Sequence, residues 1–264
     1  MIAGNGRRSG VPQQTTGVQV VPSLAAAIAA VELSCRPSGP RPLRPAIPLL
    51  RVSRNAQVFG EGDAADFLYT VSEGAVRLCK LLADGRRQIY AFALPGDCFG
   101  WTNLDSYAFA AEAIADSSLL RYPWRRLRQL GEWHPELRRR LLSLTMENLV
   151  ATQLDLVRLG RMTVEERLSS FLLEMVSRGS HRPFDGDHVD LPMGRQDIAD
   201  YLGMTLETVS RIFGRLKRNH IIALTHPNRI VLQDIAALRH IAGGNHAAGR
   251  AALPAIENAG TRLL

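Results

Sequence analysis

The hydrophobic pattern over residues 50–123 consists of short runs of β-type composition broken by glycines. Examples of these runs are DFLYTVSEG, AVRLCKLLADG and RQIYAFALPG. Glycines recur at intervals of 12, 11 and 11 residues, at Gly62, Gly74, Gly85 and Gly96. Short strands with turn signals at this spacing predict an antiparallel barrel or jelly roll. The pair Asp84-Gly85, between two of the runs, predicts a hairpin with a two-residue turn.

Residues 124–160 change to a helical period. One predicted helix face carries a seven-residue repeat, formed by Leu142, Thr145, Leu149, Thr152, Leu156 and Leu159. Such a repeat is typical of helices that pair along a seam. Two interpretations are open: the face pairs with a second copy of the chain in a homodimer, or it packs against the barrel of its own chain.

A domain boundary is predicted near residue 160. Gly160 is suited to end the long helix, and Thr163 with Glu166 three residues later predicts a capping box for a new helix. Further along, DGDHVDLPMG predicts a turn and a short strand. The segment IIALTHPNRIVLQD predicts two short strands around a turn at Pro227-Asn228.

Between these segments, residues 194–219 have the spacing of a helix-turn-helix. The expected inner faces of its two helices consist of Ile198, Ala199 and Leu202 in the first and Val209, Ile212 and Leu216 in the second. Gly203 permits a left-handed backbone in the tight turn between them. The other residues of the second helix are expected to face outward. They include Leu206, Glu207, Ser210, Arg211 and Arg215.

In a helix-turn-helix the N-terminal part of the second helix enters the major groove of DNA. Arginine can donate two parallel hydrogen bonds to O6 and N7 of guanine, glutamate can accept from the cytosine amino group, and serine is adaptable. We therefore predict that Glu207, Ser210 and Arg211 read bases. Predicted secondary or phosphate contacts come from Arg195, Thr205, Leu206, Thr208 and Arg215.

A plainer interpretation of the pair Glu207–Arg211 is a surface ion pair one helical turn apart, worth a few tenths of a kcal/mol. A carboxylate beside polyanionic DNA is otherwise repelled, and this favours a base-reading Glu207 that also orients Arg211. The joint occurrence of helix, glycine turn, helix and a polar set on the outer face supports base recognition.

Charge agrees with a nucleic-acid partner. Lys and Arg exceed Asp and Glu by 32 − 25 = 7 over the 264 residues, and a basic excess favours an anionic partner. Three widely separated cysteines, Cys35, Cys79 and Cys98, form neither a disulfide framework nor a metal-ligand set, so no metal is predicted. No apolar run reaches the roughly eighteen residues of a membrane span, and we expect a cytoplasmic protein without a membrane partner.

The two ends of the chain differ in composition from the middle. Residues 1–45 are rich in Gly, Pro, Ser, Gln and Ala, which predicts a disordered arm with a short helix at 23–33. Residues 243–264 predict a flexible tail.

Several motifs resemble those of the cAMP receptor protein–FNR superfamily of bacterial transcription regulators over residues 48–242: FGEGDAADFLYTVSEGAVRL, PGDCFG and ETVSR. The resemblance implies an α+β fold. An N-terminal antiparallel β-roll (46–123), a jelly roll of the cyclic-nucleotide-binding type, is followed by a long dimerisation helix (124–160) and a C-terminal winged helix-turn-helix (161–242).

The serine before the arginine in ETVSR, together with LADGRRQIYAFALPGDCFG, is most similar to FixK-type regulators. This resemblance implies a homodimeric activator that binds palindromic TTGA-type sites in double-stranded DNA. It also implies control of microaerobic, nitrogen-fixation or denitrification genes, often downstream of an oxygen-sensing two-component system. On the same resemblance, the hairpin around Asp84-Gly85 is the expected contact with RNA polymerase.

The chain departs from the ligand-binding members of the superfamily. Trp101 stands where a cyclic-nucleotide site places a ribose-binding glutamate, and Phe109-Ala110 replaces the Arg-Ser or Arg-Thr pair that neutralises the phosphate. A buried phosphate without a countercharge is costly, so we expect no cAMP binding and an interior filled by Trp101, Phe109 and their neighbours. The iron–sulfur cluster of FNR needs four cysteine ligands, three of them near the N-terminus, and Cys35 alone does not supply them.

No cofactor is therefore predicted, although a haem-based nitric oxide sensor or a sensor of another small ligand remains the alternative. None of the seven histidines lies between residues 50 and 123, where a haem-binding β-roll would need one. Cys98 is either a small packed residue or a redox group. The sequence contains no Ser/His/Asp constellation, phosphate-binding glycine loop or metal-ligand cluster, and we do not expect an enzyme.

Overall fold

The computed structural model describes residues 48–102, 104–179, 188–226 and 228–243, together with Leu24 and Ile28. Among these residues, none of the helices combines the length and the apolarity that a bilayer crossing requires.

Residues 49–123 form the predicted antiparallel β-roll. Its strands are β1 (Leu49–Val52), β2 (Gln57–Phe59), β3 (Phe67–Glu73), β4 (Val76–Leu81), β5 (Arg87–Ala93), β6 (Cys98–Phe99), β7 (Ala110–Ala113) and β8 (Ser117–Pro123). They form two four-stranded antiparallel sheets, of order β1-β8-β3-β6 and β2-β7-β4-β5. The four predicted turn glycines adopt positive φ angles of 83° to 96°, which confirms that they separate the strands.

The loop between β4 and β5 is longer than the predicted two-residue turn. The Leu82 amide donates to the Arg86 carbonyl at 2.8 Å, and the Gly85 amide donates to the Leu82 carbonyl at 2.9 Å. Asp84 accepts from the Arg86 amide at 3.0 Å and from the Arg86 guanidinium at 2.7 Å. Because these bonds stabilise a wider loop, the predicted turn length is wrong, whereas the hairpin itself is confirmed.

Aromatic side chains fill the interior between the two sheets. Phe59 stacks on Tyr107 with ring centroids 3.7 Å apart, and Tyr69 stacks on Phe99 at 5.3 Å. All four side chains are buried. The Tyr107 hydroxyl donates to the Phe67 carbonyl at 2.6 Å, so its polar end is satisfied inside the core.

The prediction that Trp101 and Phe109 fill this interior is wrong. Trp101 packs edge-on against Trp124, with ring centroids 5.8 Å apart, at the junction with the following helix. Phe109 is 37% exposed, and its ring contacts that of Tyr90 at a tilt of 47°, with centroids 4.3 Å apart. Phe109 precedes the first residue of β7, so the in-and-out alternation of the strand does not direct its ring inward.

Two helices follow the β-roll where one was predicted. Helix α1 spans Trp124–Trp133 and helix α2 spans Pro135–Arg161. His134 between them has an extended backbone (φ −124°, ψ 92°), because a following proline disfavours helical geometry at the residue before it. Pro135 occupies the start of α2, where its missing N–H breaks no helical hydrogen bond.

All six residues of the predicted seam on α2 are exposed in the single chain: Leu142, Thr145, Leu149, Thr152, Leu156 and Leu159. The hydroxyls of the two threonines donate to backbone carbonyls one turn earlier, at 3.0 and 2.9 Å. Their polar groups are therefore satisfied within the helix. The interpretation that this face packs against its own barrel is wrong.

The short helix predicted at residues 23–33 agrees with the two described positions of the arm, whereas the predicted disorder is wrong there. Leu24 and Ile28 are helical and only 1% and 2% exposed. Their side chains, four residues apart on one helix face, belong to a buried apolar cluster with Leu68, Leu127 and Leu137. The remaining residues of the arm and most of the predicted tail lie outside the described residues.

The C-terminal part of the chain forms the predicted winged helix-turn-helix. Its elements are α3 (Val164–Gly179), β9 (His188–Asp190), α4 (Arg195–Leu202), α5 (Leu206–Arg218), β10 (Ile222–His226), β11 (Arg229–Leu232) and α6 (Ile235–Ile241). The strands form an antiparallel sheet of order β10-β11-β9, hereafter the wing. The turn predicted before β9 and Pro227 of the second predicted turn lie outside the described residues.

The predicted capping box starts α3. The Thr163 amide donates to Glu166 Oε2 at 2.7 Å, and the Glu166 amide donates to Thr163 Oγ1 at 3.3 Å. Gly160 lies inside α2, which ends at Arg161. The predicted stop at Gly160 is therefore wrong by one residue, since the capping box and the extended Met162 end the helix.

A buried arginine connects the end of α2 to α3 and α4. The Arg158 guanidinium donates to Asp155 at 2.9 Å, to the Tyr201 hydroxyl at 3.2 Å and to Glu174 at 3.0 Å. Arg158 is 9% exposed and Glu174 6%. Removing one partner of such a pair leaves a buried charge uncompensated, so this contact restricts how the helices can be arranged.

Candidate nucleic-acid interface

A glycine turn sets the angle between α4 and α5. Gly203 has a left-handed backbone (φ 63°, ψ 45°), and its N–H donates to the Ala199 carbonyl. The Met204 amide donates to the same carbonyl at 3.1 Å. An L-residue in this conformation is disfavoured by roughly 1–2 kcal/mol, which explains why a glycine occupies the position.

The start of α5 is capped by Thr205, one of the two threonines that the sequence predicts as secondary contacts. Thr205 is the N-cap, and its Oγ1 accepts from the Thr208 amide at 3.2 Å. Glu207 lies in the first turn, close to the positive end of the helix dipole. Basic residues occupy the last turn, where they face the negative end: Arg215, Lys217 and Arg218. The charge pattern of α5 therefore stabilises the helix.

The inner faces of α4 and α5 agree with the prediction. All six expected core residues are at most 2% exposed: Ile198, Ala199, Leu202, Val209, Ile212 and Leu216. Phe213, which is not among the predicted core residues, is also buried, at 2%. Its position four residues after Val209 was the available signal, since residues four apart share a helix face.

The predicted base-reading residues lie together on the opposite face of α5. Glu207, Ser210 and Arg211 are all exposed, and Leu206 beside them is 44% exposed. Within the described residues, Glu207 and Arg211 form no ion pair with each other or with another side chain. The plain surface ion pair is therefore absent from this part of the chain, and the carboxylate and the guanidinium are both available to a partner.

Two of the predicted phosphate contacts are engaged inside the protein. The Arg195 guanidinium lies over the Phe213 ring, 3.1 Å from its centroid, and burial lowers the pKa of Arg195 to about 10. Arg215 pairs with Glu165 of α3 at 2.6 Å but remains exposed. Arg195 therefore supports the packing of α4 on α5, because its charged end is turned onto an aromatic face.

The wing lies next to this motif along the chain and carries charge of both signs. Arg229 on β11 pairs with Asp190 on β9, at 2.6 and 3.0 Å. The pairing ties the two strands together at their exposed ends, because Arg229 and Asp190 are opposite each other in the register.

The two described cysteines are packed groups. Cys79 is buried, and burial raises the pKa of its thiol. Burial also raises the pKa of Cys98 to about 11, and Cys98 Sγ lies 3.2 Å from Thr70 Oγ1. Since the thiolate is the reactive form, both side chains fit the packed interpretation better than a redox role.

An exposed polar row on the second of two helices, joined by a glycine turn and followed by a wing, defines a DNA-binding protein of the winged helix-turn-helix class. Residues 166–241 match the Crp-like helix-turn-helix domain, and residues 49–133 match the cyclic nucleotide-binding domain. The chain belongs to the CRP/FNR family of transcription regulators, in its FixK-type branch.

Named relatives support this assignment. The chain is 43% identical to the "Nitrogen fixation regulation protein FixK" of Azorhizobium caulinodans, over 72% of this chain and 77% of that protein. It is 38% identical to the "Transcriptional activatory protein AadR" of Rhodopseudomonas palustris, over 66% of this chain and 73% of the relative. The structure of FixK2 from Bradyrhizobium japonicum matches with a TM-score of 0.69 and 38% identity, covering 74% of this chain and 96% of FixK2. These relatives confirm a regulator and not an enzyme.

Replacing Gly203 by alanine is expected to lower the free energy of unfolding by about 1 kcal/mol, because alanine disfavours the left-handed backbone. An added Cβ would meet only ordinary contacts, at 3.7 Å from Leu159 and 3.8 Å from Arg167, so the loss comes from the backbone. Gly203→Asn is expected to lower the free energy of unfolding by less, since asparagine tolerates this conformation. Urea denaturation followed by circular dichroism measures each variant.

Gly214→Ala is the matched control on α5. It is expected to raise the free energy of unfolding by roughly 0.5–1 kcal/mol, because Gly214 lies in a helix interior. Equal stability of Gly203→Ala and the wild type would contradict the role assigned to the turn.

Proposed function

We propose that this protein is a homodimeric transcription activator that recognises palindromic TTGA-type sites through Glu207, Ser210 and Arg211. The observation that carries the proposal is the exposure of this acid, hydroxyl and guanidinium together on α5, with neither charge paired to another residue that the structure describes. Arg211 donates to O6 and N7 of guanine, and Glu207 accepts from the cytosine amino group. Leu206 supplies apolar contact for a thymine methyl group.

Phosphate contacts are assigned to the ends of the same helix. Thr205 and Thr208 lie at its N-terminus, where backbone amides and hydroxyls face an anion favourably. Arg215 extends this set because it is exposed despite its ion pair with Glu165. Arg195 contributes as a positioning residue beneath α5, and it reaches a phosphate only by leaving the Phe213 ring.

The regulated genes are assigned from the chain's similarity to named relatives. The relative from Azorhizobium caulinodans carries nitrogen-fixation regulation in its name, and AadR is named as an activator. We assign to this chain the activation of microaerobic, nitrogen-fixation or denitrification genes in the cytoplasm. RNA polymerase is the second proposed partner, through the loop at residues 82–86. Loss of transcription in vitro without loss of DNA affinity, on replacing Asp84, would be the signature of that contact.

Regulation without a bound nucleotide is part of the proposal. The stacked interior of the β-roll supports it, because Phe59 and Tyr107 occupy the space between the sheets. The absence of a phosphate-neutralising arginine at Phe109-Ala110 supports it as well.

Dimerisation through α2 is supported by the exposed seam. The proposed division of the chain assigns residues 46–123 to the β-roll, 124–160 to dimerisation and 161–242 to DNA reading. Two copies joined along α2 would present two α5 helices, which requires half-sites about one helical turn apart.

A gel shift tests the proposed function. It is run without added nucleotide, once in air and once under anaerobic conditions. The wild type is expected to bind a palindromic TTGA-type duplex more tightly than a scrambled duplex, with an affinity that falls steeply as salt increases because counterions are released. Equal binding of the two duplexes would contradict sequence recognition, and binding only after cAMP is added would contradict nucleotide independence.

Arg211→Ala is expected to lose about 1–3 kcal/mol of discrimination at the guanine of the half-site, because the two hydrogen bonds to O6 and N7 disappear. The measurement is the ratio of dissociation constants for duplexes with and without that guanine. Arg218→Ala, an exposed arginine at the other end of α5, is the control and is expected to weaken both duplexes alike. An unchanged ratio in Arg211→Ala would show that this arginine reads no base.

Leu149→Glu is expected to shift the protein from dimer to monomer, because it places like charges near each other across the seam. Leu149 is 50% exposed in the single chain. Leu81→Glu is the matched control, since Leu81 is 67% exposed and belongs to strand β4 of the β-roll and not to α2. Sedimentation velocity measures the masses, and a dimeric Leu149→Glu would exclude this seam.

A further inference from the structure

One strand of the β-roll contacts the first helix of the helix-turn-helix through a group of charged side chains. Arg87 on β5 lies 2.8 Å from Asp197 Oδ1 and 2.7 Å from Asp200 Oδ2, both on α4. Arg77 on the neighbouring strand β4 reaches the same Asp197 oxygen at 3.1 Å, and it also pairs with Glu112 at 2.7 Å. The pairs with Asp197 and Asp200 join residues more than a hundred positions apart in the chain.

An amide on β5 completes the contact. Gln88 Nε2 donates to the Asp200 carbonyl at 2.8 Å and to the Tyr201 carbonyl at 3.4 Å. Carbonyls in the last turn of a helix have no partner within the helix. Gln88 therefore caps the C-terminal end of α4 from the other part of the chain, just before the turn at Gly203.

Apolar contact lies beside the polar contact. The Phe92 ring on β5 lies 5.2 Å from the Tyr201 ring and 6.3 Å from the Phe171 ring, measured between centroids. Arg178 on α3 donates to the Phe92 carbonyl at 3.1 Å and pairs with Asp97. The strand thus holds both α3 and α4.

The charged pairs differ from ordinary surface pairs in their burial. The side chains of Arg77, Asp197 and Asp200 are 13–14% exposed and that of Arg87 is 26% exposed. The nearby loop pair Arg86–Asp84 has side chains 78% and 51% exposed. Because partly buried pairs are screened less by salt than exposed ones, the contact can persist at physiological ionic strength.

Asp197 also belongs to the framework of α4. Its Oδ2 accepts from the Gly194 amide at 3.3 Å, which caps the start of the helix, while Oδ1 binds the two arginines. The β-roll therefore contacts α4 at two places: its first turn, through the ion pairs with Asp197, and its last turn, through hydrogen bonds to backbone carbonyls. Since α4 packs on α5 through buried side chains, fixing α4 also fixes the direction of α5.

We propose that Arg77, Arg87 and Gln88 with Asp197 and Asp200 form a latch that holds α5 in a DNA-competent orientation with no effector bound. The inference rests on the proposed function, because DNA binding is one of its consequences. In the latched arrangement the reading residues Glu207, Ser210 and Arg211 are exposed. The latch thereby replaces, in this chain, the need for a ligand to position the reading helix.

A charge swap across the latch tests the proposal in the full-length chain. The variants are Arg87→Glu, Asp200→Arg and the double variant that carries both changes. Each single variant opposes like charges across the contact and is expected to weaken binding to the palindromic duplex about tenfold. The double variant is expected to recover only part of that loss, to about threefold weaker than the wild type, because the new carboxylate at position 87 pairs with the arginine at position 200 but still faces Asp197. Fluorescence anisotropy gives the affinities, and thermal melting checks that each variant is folded.

Arg51→Glu is the matched control, because Arg51 is exposed on β1 of the same β-roll and undergoes the same charge change. It is expected to bind DNA within about twofold of the wild type. Should Arg87→Glu fail to fold, Arg87→Gln removes the charge without reversing it and is expected to weaken binding in the same direction.

Hydrogen–deuterium exchange of β5 and α4 is the second readout, and it does not depend on DNA. Faster exchange in both segments in the single variants, with protection partly restored in the double variant, is expected from an opened latch. Wild-type affinity and wild-type exchange in the single variants would overturn the proposal, and so would tighter DNA binding. A wild type without preference for the palindromic duplex would refute the proposed function, and the exchange data would still decide whether the latch exists.

Discussion

The apolar contact between α4 and α5 is the constraint on which the rest of the structure depends. Full burial of Ile198 and Leu202 against Val209 and Ile212 leaves α5 one possible outer face. The polar residues of that face are directed to solvent because no other position on the helix is free. Gly203 makes the contact possible, since its left-handed backbone brings the two helices together over a short turn.

Charged groups connect this apolar unit to the remainder of the chain. Arg158 ties the end of α2 to α3 and α4, and Arg87 ties β5 to α4. Partly buried ion pairs contribute little net stability, but they tolerate few alternative geometries because each unpaired charge would be left without solvent. This combination suits a DNA-binding regulator, whose helix-turn-helix must keep a defined direction relative to the rest of the chain.

Local rules account for much of what could be predicted. The glycine interval identified the β-roll, and the Thr163–Glu166 pair identified the start of α3. The break before Pro135 follows an equally local rule and was missed because the helical period continues across it. Contacts between distant residues could not be predicted in this way. The residues around Phe109 do not indicate that Phe59, on a much earlier strand, stacks on Tyr107 and fills the interior with it.

The chemistry of the candidate site was therefore accessible from neighbouring residues, because helix periodicity and a positive-φ glycine depend on nothing farther than a few positions away. Glu207, Ser210 and Arg211 share a face for that reason alone. The direction in which this face points was settled by folding. Arg87 and Asp200 are separated by 113 residues, and their pairing arises only when packing brings β5 against α4, which no local pattern of side chains encodes.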